Sequence, residues 1–314
     1  MTVCRKSESR RKATRHAVLL FLSTIVFAGA LSLAPAEPAF AKKPAYTISE
    51  KKVKKLNFRI LTRRKRGSGA LRISRLNKYV FFSQHGTGKI TRLDKNGKAK
   101  DFPIVPSSTH IHAVTSGPGS RIWFAAFEDG TIGSLTKNGA VQKFNTGLPA
   151  NRTNDIIPGP DGNLWFTTDF DGLGRLTPSG ATDMFPIITN NNQPTTLTNS
   201  QNKLIWYVEW AGDDVGNINP SNGNVEEFPA GLGGYSNSFG IAEGPDGRIY
   251  FADPQRKRIC RILPSGSGLT CFMNGLTGSP STIITGPDGK LYFGEYEGYV
   301  GRLTTAGKIK EYKI

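Results

Sequence analysis

The chain has 314 residues, 37% hydrophobic and 10% aromatic, with 36 glycines and 19 prolines. That is ample for a packed core, and the glycine content suits a turn-rich β protein. The formal net charge of +17 is uneven: residues 1–41 carry +4, residues 42–66 carry +10, and only +3 remains for residues 67–314. That distribution excludes a generally basic folded surface.

The N-terminus comes first. Basic residues from Arg5 to Arg15 precede an uncharged, mostly apolar run from Ala17 to Leu33, and a small-residue stretch follows, ending Ala39-Phe40-Ala41. This is the order of a secretory signal peptide, with cleavage expected after Ala41. The run is short for a membrane span, so the mature chain is expected to be secreted or periplasmic; an uncleaved leader would make it membrane-anchored. Residues 42–66 form a basic arm with eleven Lys/Arg and the single acid Glu50. Such an arm can hold an anionic surface such as wall polymer or lipid headgroups, although a solvated tail is the simpler reading. It shows no aromatic interleaving and no nucleic-acid motif.

From residue 67 onward the sequence repeats. Gly159-Pro160-Asp161-Gly162-Asn163-Leu164-Trp165-Phe166 recurs as Gly244 to Phe251 and again as Gly286 to Phe293. The first aromatic of each copy falls at Phe81, Trp123, Trp165, Trp206, Tyr250 and Tyr292, spaced by 41 to 44 residues. Each copy reads as four short strands: an apolar strand, a Gly-Pro-Asp-Gly turn, a Leu-Trp-Phe strand, a Leu-Gly-Arg-Leu strand, and a last strand ending in Phe or Tyr. Radial repetition of such a unit is an all-β, single-domain β-propeller of four-stranded antiparallel blades. Six blades are expected. Seven is the alternative, because Phe58 lies 44 residues before Phe102 and resembles a further outer strand that could close the ring.

Cysteine usage fits export. Cys4 leaves with the leader, and Cys260 and Cys271 flank the turn Pro264-Ser265-Gly266-Ser267 symmetrically. Opposed on antiparallel strands, they are expected to form a disulfide; two small packed residues are the alternative.

The units of apolar strand, Gly-Pro-Asp-Gly-Asn-Leu-Trp-Phe-Thr, and Leu-Gly-Arg-Leu resemble the streptogramin B (virginiamycin B) lyase family over about residues 70–314. The resemblance implies a seven-bladed propeller and a magnesium-dependent elimination that opens a cyclic depsipeptide at its ester bond. A His would remove a proton beside the carbonyl while the metal stabilises the developing charge. It places that His eleven residues before the blade aromatic, with carboxylates thirteen before and three after. Here the eleven-before positions hold Ala70, His112, Asn154, Thr195, Phe239 and Ser281, and the three-after positions hold Gln84, Ala126, Thr168, Glu209, Asp253 and Glu295. His112 is the candidate base. Glu209, Asp253 and Glu295 are candidate ligands for a divalent cation, magnesium or calcium, if equivalent positions face the axis together.

His85, His110 and His112 are the only mature histidines. Their spacing suits a transition metal, against the simpler reading of hydrogen-bonded groups on a wet channel. His85, His110, His112 and Asn154 are therefore the expected ligand-binding residues. The leading functional expectation is an exported, monomeric propeller that binds a small molecule, glycan or peptide at its channel rim. A metal-dependent lyase and a calcium-dependent lactonase-type hydrolase are the enzymatic alternatives. The chain contains no serine nucleophile elbow, phosphate loop or dinucleotide fingerprint.

Overall fold

A computed structural model describes residues 73–84, 87–104, 110–127, 130–148, 153–169, 172–189, 193–232, 238–286 and 288–313. The leader, the basic arm, Phe58, Ala70 and His85 lie outside the described residues. Twenty-four strands form six four-stranded sheets, each antiparallel throughout. Blade 1 contains β1 (Ile73–Leu76), β2 (Tyr79–Gln84), β3 (Lys89–Leu93) and β4 (Ala99–Pro103). Blade 2 contains β5 (Ile111–Gly117), β6 (Arg121–Ala126), β7 (Thr131–Leu135) and β8 (Val141–Asn145). Blade 3 contains β9 (Thr153–Pro158), β10 (Leu164–Thr168), β11 (Leu173–Leu176) and β12 (Thr182–Phe185). Blade 4 contains β13 (Pro194–Asn199), β14 (Ile205–Glu209), β15 (Asp214–Ile218) and β16 (Val225–Pro229). Blade 5 contains β17 (Ile241–Glu243), β18 (Ile249–Asp253), β19 (Arg258–Ile262) and β20 (Thr270–Phe272). Blade 6 contains β21 (Pro280–Thr285), β22 (Leu291–Glu295), β23 (Tyr299–Leu303) and β24 (Ile309–Lys313). The C-terminal strand β24 pairs along β23 and so forms the outer edge of blade 6.

The core lies between blades. Strands β1, β5, β9, β13, β17 and β21 stand side by side in chain order. Trp123, Ala125 and Phe144 of blade 2 pack on Ile156, Leu164 and Phe166 of blade 3, and the next pair of blades repeats the arrangement with Trp165, Ile205 and Tyr207. The alternation of a strand explains the recurring aromatic pair: the first ring faces the following blade and the second faces the preceding one. Trp165, Phe166, Trp206, Tyr207, Tyr250 and Phe251 are all fully buried. Burying one such ring contributes about 2–3 kcal/mol, which explains why the spacing is kept so regular.

Two glycines make that packing fit. Phe166 lies directly across from Gly174, and any Cβ on Gly174 would overlap its ring. Gly159 likewise leaves room for the Trp165 indole, whose Nε1–H donates to the Asp161 carboxylate at 3.1 Å. The Asp of the Gly-Pro-Asp-Gly turn therefore anchors the aromatic of its own blade. In blade 5 the position of Gly174 is taken by Cys260, which sits opposite Cys271 and is joined to it by a disulfide.

Candidate functional site at the channel mouth

In blades 2, 3, 4 and 6 the residue eleven before the aromatic shares a backbone feature that the sequence does not reveal. In blade 2 the register passes from Ile111↔Ala126 to Ala113↔Ala125, leaving His112 as an extra residue. Blade 3 shifts between Thr153↔Thr168 and Ile156↔Phe166, a span that contains Asn154. Thr195 and Ser281 occupy the same irregularity in blades 4 and 6. A β-bulge turns a side chain away from the regular alternation, and here it does so at one end of each inner strand.

The consequence is a contact between blades. His112 Nδ1 lies 3.0 Å from Asn154 Oδ1, and Asn154 Nδ2 donates to Asp169 Oδ1 in the loop after β10. The His112 ring stacks on Phe127, with centroids 4.3 Å apart and planes 9° apart. His110 stands beside it, ring centroids 6.2 Å away and tilted by 54°. His110, His112, Asn154, Asp169 and Phe127 are all half-buried, placed to meet both protein and solvent. The corresponding residues of blades 4 and 6 turn inward. Thr195 donates to Ser238 O at 2.8 Å and Ser281 to Gly294 O at 3.3 Å, both buried, while Phe239 is exposed. The polar mouth therefore belongs to blades 2 and 3.

The three-after residues behave differently, and among the described residues Glu209, Asp253 and Glu295 do not converge as a metal-ligand group. One residue of the strand separates each from the second aromatic, so they share its face, which looks toward the preceding blade. Glu209 is fully buried beside Tyr207, whose hydroxyl donates to Glu227 at 2.8 Å. Burial, and then Glu227, push the Tyr207 pKa up. Glu227 also accepts from Ile188 N and Thr189 N, holding the crossover from blade 3 to blade 4. Asp253, fully buried, accepts from Arg258 Nε at 2.7 Å, and Arg258 and Arg256 reach the carbonyls of Gly231 and Leu232 in the next crossover. Glu295, 2% exposed, crowds Gly278 together with Glu297, near Glu311. Burial first, and then Glu311, push Glu295 up to about 8. Glu311 and Glu297 in turn accept from Thr277 N and Ser279 N of the blade 5 to blade 6 crossover.

Among the described residues, no three His, Cys, Asp or Glu side chains converge as a metal-ligand group. Asp253 and Glu295 stand at separate crossovers, Glu209 is buried beside Tyr207, and no metal-ligand group joins the three among the described residues. His110 and His112 are neighbours, while His85 falls outside the described residues. The donor set present does not fit the magnesium site that the resemblance implied. Sequence reasoning also missed Asp169 and Phe127. Both stand four residues after the blade aromatic, as His85 does in blade 1, and that shared position is the signal in the sequence that points to them.

These features define an all-β propeller of six described blades with a His–Asn–Asp chain spanning blades 2 and 3. The virginiamycin B lyase family model matches residues 58–233, and the chain belongs to that family. Virginiamycin B lyase from Staphylococcus aureus is 26% identical, with TM-score 0.72, covering 80% of this chain and 86% of that one. A catalytically inactive histidine-to-alanine form of that enzyme, solved with quinupristin, is 25% identical with the same TM-score and coverage. The extracellular domain of a putative one-component system from B. thetaiotaomicron, 12% identical with TM-score 0.61 over 80% of this chain and 41% of that one, shares the fold alone. No curated protein sequence matches the chain.

Proposed function

We propose that the chain is an exported binding propeller whose mouth takes a small molecule or peptide against His112, Asn154 and Phe127, without the lyase reaction of its relatives. The observation that carries this reading is the half-buried His112–Asn154–Asp169 chain spanning blades 2 and 3. Concave mouths with a few oriented polar groups beside an aromatic face are the usual form of a small-molecule site. Catalysis is disfavoured because the blades that keep acids have Phe239 and Ser281 where a base would stand, and their acids secure crossovers instead. The leader pattern supports export.

A second reading, proton abstraction by His112, has one observation in its favour: an imidazole held by a hydrogen-bonded partner is the arrangement of an oriented general base. The experiment uses quinupristin, the ligand solved with the relative. Purified mature protein is titrated with it by calorimetry, and separately incubated with it and magnesium while ring opening is followed by mass spectrometry. The binding reading expects saturable heat that is lost in His112→Ala and an intact ester. Ester opening that disappears in His112→Ala would overturn it in favour of the lyase.

A further inference from the structure

Five matching interfaces join the six blades in chain order. Phe102, Phe144, Phe185, Phe228 and Phe272, on the outer strands, each lie against the turn glycine between the third and fourth strands of the following blade, as Phe102 does with Gly139 and Phe272 with Gly307. The outer strand of blade 6 carries Tyr312 at the same position, and this ring is 45% exposed, with Lys310 Nζ over it at 5.1 Å. Among the described residues, β21 and β1 do not stand side by side as the other successive inner strands do. Blade 1 also departs from the pattern on the side that would meet blade 6. Gly174 lies across from Phe166 in blade 3, but in blade 1 Thr91 lies across from Phe82. Thr91 donates to Asp101 at 2.7 Å, and Gln84 donates to both. The seam between blades 6 and 1 is therefore not a copy of the other five.

The sequence before β1 holds a segment that fits it. Within the basic arm, Leu56-Asn57-Phe58-Arg59-Ile60 alternates apolar and polar residues between the basic runs at 51–55 and 63–66. Such alternation gives a strand one apolar face, here Leu56, Phe58 and Ile60. Phe58 precedes Phe102 by 44 residues, the interval that separates Phe228 from Phe272. It therefore keeps the register of an outer-strand aromatic one unit before blade 1. The link is long enough: twelve residues, 61–72, join the segment to β1, whereas seven, 104–110, carry the chain from the outer strand of blade 1 to the inner strand of blade 2.

We propose that residues 56–60 lie as a single strand in the seam between blades 6 and 1, with Phe58 against the β3–β4 turn of blade 1 and the opposite face of the strand toward Tyr312. The arm is then a strap: a short apolar anchor fixes it to the ring, and its flanking lysines and arginines stay in solvent at the outer rim. A lone strand suits this seam better than a whole blade, because blade 6 already has its outer strand in β24 and the face of blade 1 is polar around Thr91.

The test uses mature protein, residues 42–314, with the photoreactive p-benzoylphenylalanine in place of Phe58. After irradiation and digestion, cross-linked peptides are identified by mass spectrometry. The expected product is a cross-link within one chain, to the peptide that contains the turn at 94–98. A cross-link between two chains would overturn the strap and give the seam to a second copy. Its absence, or links scattered over unrelated blades, would overturn it in favour of a solvated tail. Because the photoreactive side chain is larger than phenylalanine, the wild-type protein is read separately by hydrogen exchange. After correction for intrinsic rates, amides of residues 56–60 should exchange roughly tenfold more slowly than those of 51–55 and 62–66. Phe58→Ser should abolish that difference while blades 2 to 5 stay protected. Equal exchange along the wild-type arm, or unchanged protection in Phe58→Ser, would contradict the proposal.

Discussion

Two sets of repeat-equivalent residues run around this propeller, and they have opposite fates. Those eleven before the blade aromatic sit on bulges in blades 2, 3, 4 and 6 and, in blades 2 and 3, reach across to each other as His112 and Asn154. Those three after it sit in regular strand and are buried, Glu209 beside Tyr207 and Asp253 and Glu295 at separate crossovers. Radial repetition thus makes positions equivalent without making them converge. Whether a side chain reaches the mouth depends on local backbone: a bulge redirects it, while unbroken alternation keeps it on the blade face.

The comparison predicts that the buried set governs stability and the bulge set governs binding. The largest effect is expected at Asp253, whose removal leaves Arg258 facing a buried, unmatched site. Asp253→Leu should lower stability by about 3–4 kcal/mol in urea unfolding, and a change within error would place Asp253 at the solvent-exposed mouth after all. Next is Glu295. Its pKa is raised from 4.5 to about 8 in the folded chain, so the folded state binds the proton more tightly than the unfolded state. The contribution of Glu295 to stability should therefore be fullest below pH 4.5, fall as the pH rises toward 8, and level off above it. Glu295→Gln should flatten that segment of the profile and be more stable than wild type at pH 9 by roughly 2–3 kcal/mol.

A smaller loss, about 2 kcal/mol, is expected for Gly174→Ala, because its methyl group displaces the Phe166 ring from its place over the strand. Its thermal midpoint should fall while quinupristin binding stays within twofold. The smallest effect on stability is expected at the mouth. His112→Ala should change unfolding by no more than about 1 kcal/mol, since the group is half-buried, yet abolish the calorimetric signal of quinupristin. If His112→Ala unfolds the protein instead, the two sets are not functionally separate.

Much of this was legible in the sequence. The aromatic spacing marked each blade because an inter-blade core needs two large rings per unit, and the symmetric placement of Cys260 and Cys271 around a turn put them opposite each other. Among the described residues, Glu209, Asp253 and Glu295 form no metal-ligand group. Repeat spacing shows that positions correspond, but direction follows from counting alternation from the second aromatic, which places all three on its face. The bulges left no trace because they add a residue to one strand without altering the length of the repeat. Asp169 was missed for another reason: its role exists only through Asn154 of the same blade and His112 of the neighbouring one, 42 residues from Asn154.

The central claim, contact in one set and separation in the other, is tested most directly by paired double-mutant cycles in urea unfolding. His112→Ala with Asn154→Ala should show a coupling of about 0.5–1.5 kcal/mol, as touching residues do, whereas Glu209→Gln with Glu295→Gln should be additive within about 0.5 kcal/mol. Coupling between the two glutamates together with additivity at His112 and Asn154 would contradict the account.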